Sequence, residues 1–345
     1  MNTIKNREKS FMTLSEVLEE KKNRPKSKFL WNGIKENSIG LIFGPSKSGK
    51  TIFCENLGMK IAMGANDYFG CSLDGIPKRV LFVGLEEFWE NRAERNKHQL
   101  DVLDEKEKQL VSENFLVQPL DFISRINGEK DWGKLEEMIV DSKAEVVFID
   151  SITRMNSGKL ENSADSEKLM QKLRDICYRT KVTLICVHHT PKMGDKIIDI
   201  DSIKGSSTFA QESDFAIAVT KAFSGKRYVK EIFFRYAPVN EDFVKEFEIT
   251  SSVWLDYLGD ISEYGEVVKK DRRLNDASRK SIIQYLDSSS CKTFKTSELI
   301  SHFTATLSIK ERQLKAYLKS LTDSNQIKNQ KKGFYSSINC VNDEE

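Results

Sequence analysis

The chain has 345 residues, of which 39% are hydrophobic and 31% charged, and its net charge at pH 7 is +2. This composition is typical of a soluble globular protein with one large and one smaller domain, so any nucleic-acid surface must come from local clustering of charge. Its six cysteines form no C-x-x-C pair, and its apolar stretches fall short of the roughly 20 residues of a membrane helix, so we expect no structural zinc, no disulfide framework, no membrane contact and a cytoplasmic location.

The chain divides into four predicted regions. Residues 1–29 form a basic N-terminal arm with a short helical pattern around Leu14. From residue 30 to 258, apolar runs alternate with helical patterns, which predicts an α/β domain with a parallel sheet. The predicted strands are residues 39–43, 80–84, 146–149, 183–187 and 215–220, followed by a β-rich late region at 228–236 and 244–249, whose first strand forms a hairpin with its predecessor.

Residues 259–278 are polar and charged, which predicts a linker. Three short helical patterns follow within residues 279–345, the third beginning at Ser308 with Glu311 as a capping box, and a basic hairpin spans 328–338. This order resembles a small winged helix, which would bind duplex DNA or a protein partner. A protein-docking domain with a solvated basic face is the alternative.

The most informative motif is a phosphate loop between the first predicted strand and a helical pattern. It matches G-x-x-x-x-G-K-[ST] and consists of Gly44, Pro45, Ser46, Lys47, Ser48, Gly49, Lys50 and Thr51. Its glycines let backbone N–H groups point into the loop, where the helix N-terminus also favours a polyphosphate. We therefore expect ATP as the ligand, with Lys50 at the β/γ-phosphates and the Thr51 hydroxyl on Mg²⁺. A glycine turn with a solvated lysine is the alternative.

Acidic residues end two of the predicted strands. Asp150 follows the run at 146–149 and is expected to hold Mg²⁺ beside Thr51, although an N-cap or turn role is the alternative. Glu86 and Glu87 follow the strand at 80–84, at the edge where nucleotides bind. We predict that Glu86 activates the attacking water; a solvated turn is the alternative.

His188 and His189 end the strand at 183–187. Alternation along a strand turns Cys186 away from His189, so these residues cannot close a tetrahedral metal site. We expect this pair to provide a polar sensor of the γ-phosphate or its water, with a satisfied core histidine as the alternative.

The loop after this strand is a candidate nucleic-acid contact. It carries Lys192, Lys196 and Lys204 and ends in a Gly-Ser-Ser turn, whose hydroxyls suit contacts with a phosphate backbone. Arg154, Asn156 and Lys159 lie in the segment predicted to accompany it. A merely solvated charged loop is the alternative.

In this order, the motifs resemble those of RecA-like P-loop ATPases, and more closely those of RepA-type hexameric replicative helicases, over about residues 30–258. The resemblance implies that Lys50, Thr51, Glu86, Asp150 and His189 have the roles given above. It also implies a homo-oligomeric ring, expected to be a hexamer, in which a neighbouring subunit donates an arginine finger. We place that finger at Arg235, with Arg227 and Lys230 as substitutes, although Phe234 stands where relatives often have a second basic residue.

The expected function is an ATP-driven, ring-forming motor on single-stranded DNA that acts in replication or in a mobile element. A second hypothesis is a RecA-fold ATPase switch that assembles on DNA or protein without unwinding. A nucleoside or metabolite kinase is disfavoured, because the β-rich late region and late arginine suit assembly rather than a lid.

Overall fold

A computed structural model describes residues 11–24, 26–155, 163–191, 197–203, 207–221, 225–241, 243–263, 269–289, 292–307, 309, 311–331 and 333–339. The chain forms two compact units, Met1–Glu263 and Tyr264–Glu345.

The described helices of the first unit are α1 Leu14–Lys22, α2 Lys50–Met63, α3 Trp89–Asp101, α4 Glu105–Asn114, α5 Glu129–Ser142, α6 Ser163–Thr180 and α7 Thr208–Gln211. Its strands are β1 Phe29–Trp31, β2 Ile34–Lys35, β3 Ile39–Gly44, β4 Asp67–Tyr68, β5 Cys71–Ser72, β6 Val80–Gly84, β7 Phe115–Val117, β8 Val146–Asp150, β9 Thr183–His189, β10 Phe215–Lys221, β11 Arg227–Phe234, β12 Phe243–Ile249 and β13 Leu255–Ser262.

Most of the strands belong to one nine-stranded sheet with the order β13-β12-β11-β10-β3-β9-β8-β6-β7. The six strands from β10 to β7 are parallel, and β11, β12 and β13 extend the sheet as antiparallel neighbours. The predicted fold class, an α/β RecA-like P-loop core with a β-rich late region, is confirmed. The predicted hairpin of β10 and β11 is also present as an antiparallel pair.

The core of the first unit lies where α2 packs against the parallel strands. Phe53 and Leu57 of α2 are fully buried, as are Phe82 of β6 and Phe148 of β8, whose rings stack with centroids 5.9 Å apart. These central strands are buried along their length, as expected for parallel strands that are covered on both faces. This packing fixes the strand ends that carry the candidate site.

The predicted linker at 259–278 is wrong over most of its length. Strand β13 runs through Ser262, and a helix, α8 Lys269–Asp287, covers the other end of the range. The large domain therefore extends past the predicted boundary at residue 258. The polar composition misleads because β13 is the edge strand, and its backbone pairs with β12 whether or not its side chains are apolar.

The second unit continues after α8 with β14 Phe294–Lys295, α9 Thr296–Leu307, α10 Glu311–Asp323, β15 Ile327–Lys331 and β16 Phe334–Ser337. Its small antiparallel sheet has the order β14-β16-β15. The predicted apolar face of the third helix is buried, with Leu314, Tyr317, Leu318 and Leu321 each at most 5% exposed. Ser308, the predicted cap, lies outside the described residues. Among those residues, no helix is both long enough and apolar enough to cross a bilayer.

Candidate functional site

The phosphate loop joins β3 to α2, at the edge where the parallel strands end. Gly49 is the N-cap of α2 and has φ +108°, a conformation in which an L side chain would be strained. The loop therefore turns directly into the first helical turn, which begins with Lys50 and Thr51. This is the strand, loop and helix geometry that the motif requires.

Lys50 lies at the centre of the loop and is only 5% exposed. Its ammonium donates to the carbonyl oxygens of Gly44 at 3.0 Å and Pro45 at 2.7 Å. Burial lowers the pKa of Lys50, an effect partly opposed by the nearby Asp150 carboxylate. An anion would interact favourably with this buried cation. The buried Ser48 hydroxyl, which has no hydrogen-bond partner among the described residues, offers a further donor.

A cavity of about 610 Å³ opens over the loop. Its lining brings together residues of the loop, of α2 and α3, and of the ends of β6, β8 and β9. The volume is within the range of small-molecule and cofactor sites. The loop residues Ser46, Lys47, Gly49, Lys50 and Thr51 contribute to the lining, so the cavity fits a nucleotide whose phosphates lie on the loop.

Asp150 and Thr51 meet across this cavity. The Thr51 hydroxyl donates to an Asp150 carboxylate oxygen at 2.5 Å. Burial raises the pKa of Asp150 to about 6, although the hydrogen bond from Thr51 and the charge of Lys50 oppose this shift. A buried carboxylate beside a hydroxyl supplies the oxygen ligands that Mg²⁺ prefers, so these two residues would hold the ion. When bound, Mg²⁺ would neutralise charge on the phosphate oxygens.

Glu86 and Glu87 have different surroundings. The Glu86 carboxylate accepts hydrogen bonds from the hydroxyls of Ser151 and Thr153, the latter at 2.8 Å, and lies 3.3 Å from Nε2 of His189. These interactions, that with His189 first, lower the pKa of Glu86 to about 2. Glu86 is therefore ionised at neutral pH and lines the cavity.

Glu87 instead faces α3, where Arg95 donates to both of its carboxylate oxygens at 2.8 and 2.6 Å. The hydrogen bonds from Arg95 lower the pKa of Glu87. Glu87 thus forms an ion pair with Arg95, whereas Glu86 contacts two hydroxyls and a histidine. This geometry favours Glu86 as the general base.

The two histidines at the end of β9 also have different surroundings. His188 is fully buried, with its ring 4.7 Å from that of Phe209, so it has the core position given above as the alternative. His189 is partly exposed, and its Nε2 faces Glu86. If Nε2 carries the proton, His189 donates to this carboxylate.

The sequence motifs did not identify four further residues that surround the site, namely Glu55, Arg92, Arg95 and Gln118. Arg95 also donates to both oxygens of Glu55, at 2.7 Å each, and Glu55 is fully buried on α2. Arg92 of α3 is 5% exposed and lines the cavity. Gln118 accepts from the Gly84 backbone N–H and donates to its carbonyl, at 3.1 and 2.7 Å. The sequence did contain signals for three of these residues. Glu55 lies one helical turn after Thr51, and Arg92 and Arg95 lie three positions apart.

Arg235 lies just after β11 and does not line the cavity of its own chain. Its guanidinium is 3.3 Å from the Asp214 carboxylate. The substitute Lys230 pairs with the buried Glu263 at 2.5 Å and is mostly buried. Phe234 is 8% exposed and packs into the core, which accounts for an apolar residue at that position.

The predicted nucleic-acid residues Lys192, Lys196 and Lys204 lie outside the described residues, as do Asn156 and Lys159. Arg154 is described; it ends a short 3-10 helix after β8 and is exposed.

The sequence matches a protein-family model described as an AAA domain over residues 6–195. No curated protein matched it. The matched region is more than half of the chain and contains the phosphate loop, Glu86, Asp150 and His189. These residues line a single cavity at the ends of parallel strands, as a P-loop ATPase requires. The chain therefore belongs to the AAA domain family of P-loop ATPases.

Proposed function

We propose that the protein is an ATP-hydrolysing, ring-forming motor on single-stranded DNA, of the replicative helicase type. In the proposed reaction, Lys50 and the loop N–H groups hold the phosphates, and Thr51 and Asp150 would hold Mg²⁺. Glu86 accepts a proton from a water that attacks the terminal phosphorus, and the bond to the bridging oxygen of ADP breaks. The ionised state of Glu86 leaves its carboxylate ready to accept that proton.

The observation that carries this proposal is the contact between Glu86 and His189. His189 is the last residue of β9, and the chain runs from it into the lysine-containing loop. A change at the terminal phosphate that moves Glu86 would act on His189 and hence on the start of this loop. Such a connection suits an ATPase that alternately grips and releases a nucleic-acid backbone.

The ring is proposed from the position of Arg235. Because this side chain lies outside the cavity of its own chain, it could serve as a finger only in a neighbouring copy. Its ion pair with Asp214 would hold it on the subunit surface at the end of β11. A finger donated between subunits would make hydrolysis depend on assembly, which we expect to be hexameric.

The second unit is proposed to be a winged helix that binds duplex DNA or a protein partner. Its order of helices and strands, with a hairpin after the last helix, supports this assignment. Lys315 and Lys319 lie on α10, and Lys331 ends the first strand of the hairpin. Lys315 also pairs with Glu311 at 2.6 Å, so part of this charge serves the helix itself.

Strand displacement on a forked DNA substrate tests the motor. We expect ATP-dependent unwinding by the wild-type protein and none by Glu86→Gln, which should still bind ATP. ATP hydrolysis stimulated by single-stranded DNA without strand displacement would support the alternative, a RecA-fold switch that assembles on DNA or protein.

The contribution of the lysine-containing loop after β9 to single-strand binding can be measured separately, through the salt dependence of the binding constant. Replacing Lys192 and Lys204 with alanine should weaken single-strand binding and reduce the slope of log K against log[salt] by roughly 0.7 for each phosphate that the loop no longer neutralises. Lys97→Gln, an exposed site on α3, is the matched control. An unchanged slope would show that the loop does not contact nucleic acid.

A further inference from the structure

Arg92 is an unusual cation because it is buried and, in the part of the chain that the structure describes, no carboxylate lies within hydrogen-bonding distance of it. Its side chain is 6% exposed, and its Nε has no hydrogen-bond partner among the described residues. Arg92 forms an ion pair with Glu55, whose carboxylate oxygen lies 3.8 Å from Nε. A buried charge without a close counter-charge destabilises the folded state, so the burial of Arg92 needs a reason.

The surrounding carboxylates are already occupied by Arg95. This second arginine donates to both oxygens of Glu55 and to both oxygens of Glu87. Arg92 instead donates from Nη1 to the neutral Gln118 side chain at 3.1 Å and lies 5.1 Å from the centre of the Phe82 ring. These contacts hold its guanidinium in place but supply no full negative charge.

The position of the guanidinium depends on a glycine. A Cβ on Gly84 would lie 1.4 Å from Nη2 of Arg92, so any other residue would displace the guanidinium. Gly84 is paired in register with Asp150 on the adjacent strand, and side chains at such paired positions share one face of the sheet. Arg92 therefore lines the nucleotide cavity on the same face of the sheet as the Asp150 carboxylate.

We infer that Arg92 binds the terminal phosphate of the nucleoside triphosphate within its own subunit. This inference rests on the proposed ATP hydrolysis. The loop N–H groups hold the inner phosphates, so the end of the cavity that contains Asp150 and Glu86 is left for the terminal one. There the phosphate would give the buried guanidinium an anion at hydrogen-bonding distance, closer than the Glu55 carboxylate at 3.8 Å, and its departure after hydrolysis would remove that contact.

Nucleotide affinity measured by calorimetry, with the full chain and Mg²⁺, tests this inference. The probes are a non-hydrolysable ATP analogue and ADP. A hydrogen bond to a charged group contributes about 1.5–3 kcal/mol, so Arg92→Gln should weaken analogue binding about 10- to 140-fold. It should change ADP binding less than about twofold, because ADP lacks the phosphate that Arg92 contacts.

Gly84→Ala provides a second variant, in which the added methyl group displaces the guanidinium without removing it. It should show the same selective loss of affinity and decides the test if Arg92→Gln does not fold. Lys97→Gln, which removes an exposed charge from the same helix, should change neither affinity. Equal effects on the analogue and ADP, or no effect on either, would overturn the inference. Failure of the wild-type protein to bind the analogue would instead overturn the proposed function.

Discussion

Replacing Glu55 with glutamine should strongly destabilise the first unit. Glu55 is fully buried and accepts two hydrogen bonds from Arg95 at 2.7 Å, with Arg92 also nearby. Glutamine has nearly the same volume, so the change removes charge without creating a cavity. Removing one partner of a buried ion pair costs about 3–5 kcal/mol. We expect about 3 kcal/mol, the lower end, because Glu87 remains bound to Arg95.

Urea denaturation without nucleotide, followed by circular dichroism, measures this change in the free energy of unfolding. Glu94→Gln is the matched control, since this exposed glutamate lies on the neighbouring helix and should change stability by less than about 0.5 kcal/mol. A destabilisation of under about 1 kcal/mol for Glu55→Gln would refute the reasoning, because it would mean that the buried arginines do not depend on this carboxylate.

Four further predictions concern the site and the domain boundary. Lys50→Ala should abolish ATP hydrolysis and weaken nucleotide binding, as measured by phosphate release and calorimetry, because it removes the cation at the β/γ-phosphates. Glu86→Gln should retain binding and stop turnover, while Glu87→Gln should retain measurable turnover; the reverse pattern in the same phosphate assay would contradict our assignment within this pair. Because burial raises the pKa of Asp150 from 3.8 to about 6, its contribution to stability is greatest below pH 3.8 and is lost as the pH rises through 6. In metal-free denaturation, Asp150→Asn should thus be more stable than wild type by up to about 3 kcal/mol at pH 8, with the difference shrinking towards pH 4; a constant difference would contradict this. Truncation after Glu263, the end of the first unit, should leave basal ATPase activity largely intact and remove duplex-DNA binding; equal duplex affinity by fluorescence anisotropy at matched salt would refute a DNA-binding second unit.

Five of the six parallel strands and the phosphate loop could be predicted because their signals are local, whereas the short parallel strand β7, Phe115–Val117, was not predicted. A continuous apolar run indicates a strand covered on both faces, and the loop motif encodes its own backbone geometry. Strand β13 could not be found in this way. Its residues are partly polar, and pairing with β12, over 6–19 residues of sequence separation, stabilises it through backbone hydrogen bonds.

The sequence by itself determined that a strand, a phosphate loop and a helix would form a nucleotide site, and that acidic residues would lie at neighbouring strand ends. It could not distinguish Glu86 from Glu87, since both follow the same strand. Only the tertiary structure placed Glu87 against Arg95 and Glu86 against His189, because those contacts join residues that are distant in sequence or lie on separate elements. The burial of Arg92 over Gly84 likewise depends on how α3 packs against the sheet, which no local pattern encodes.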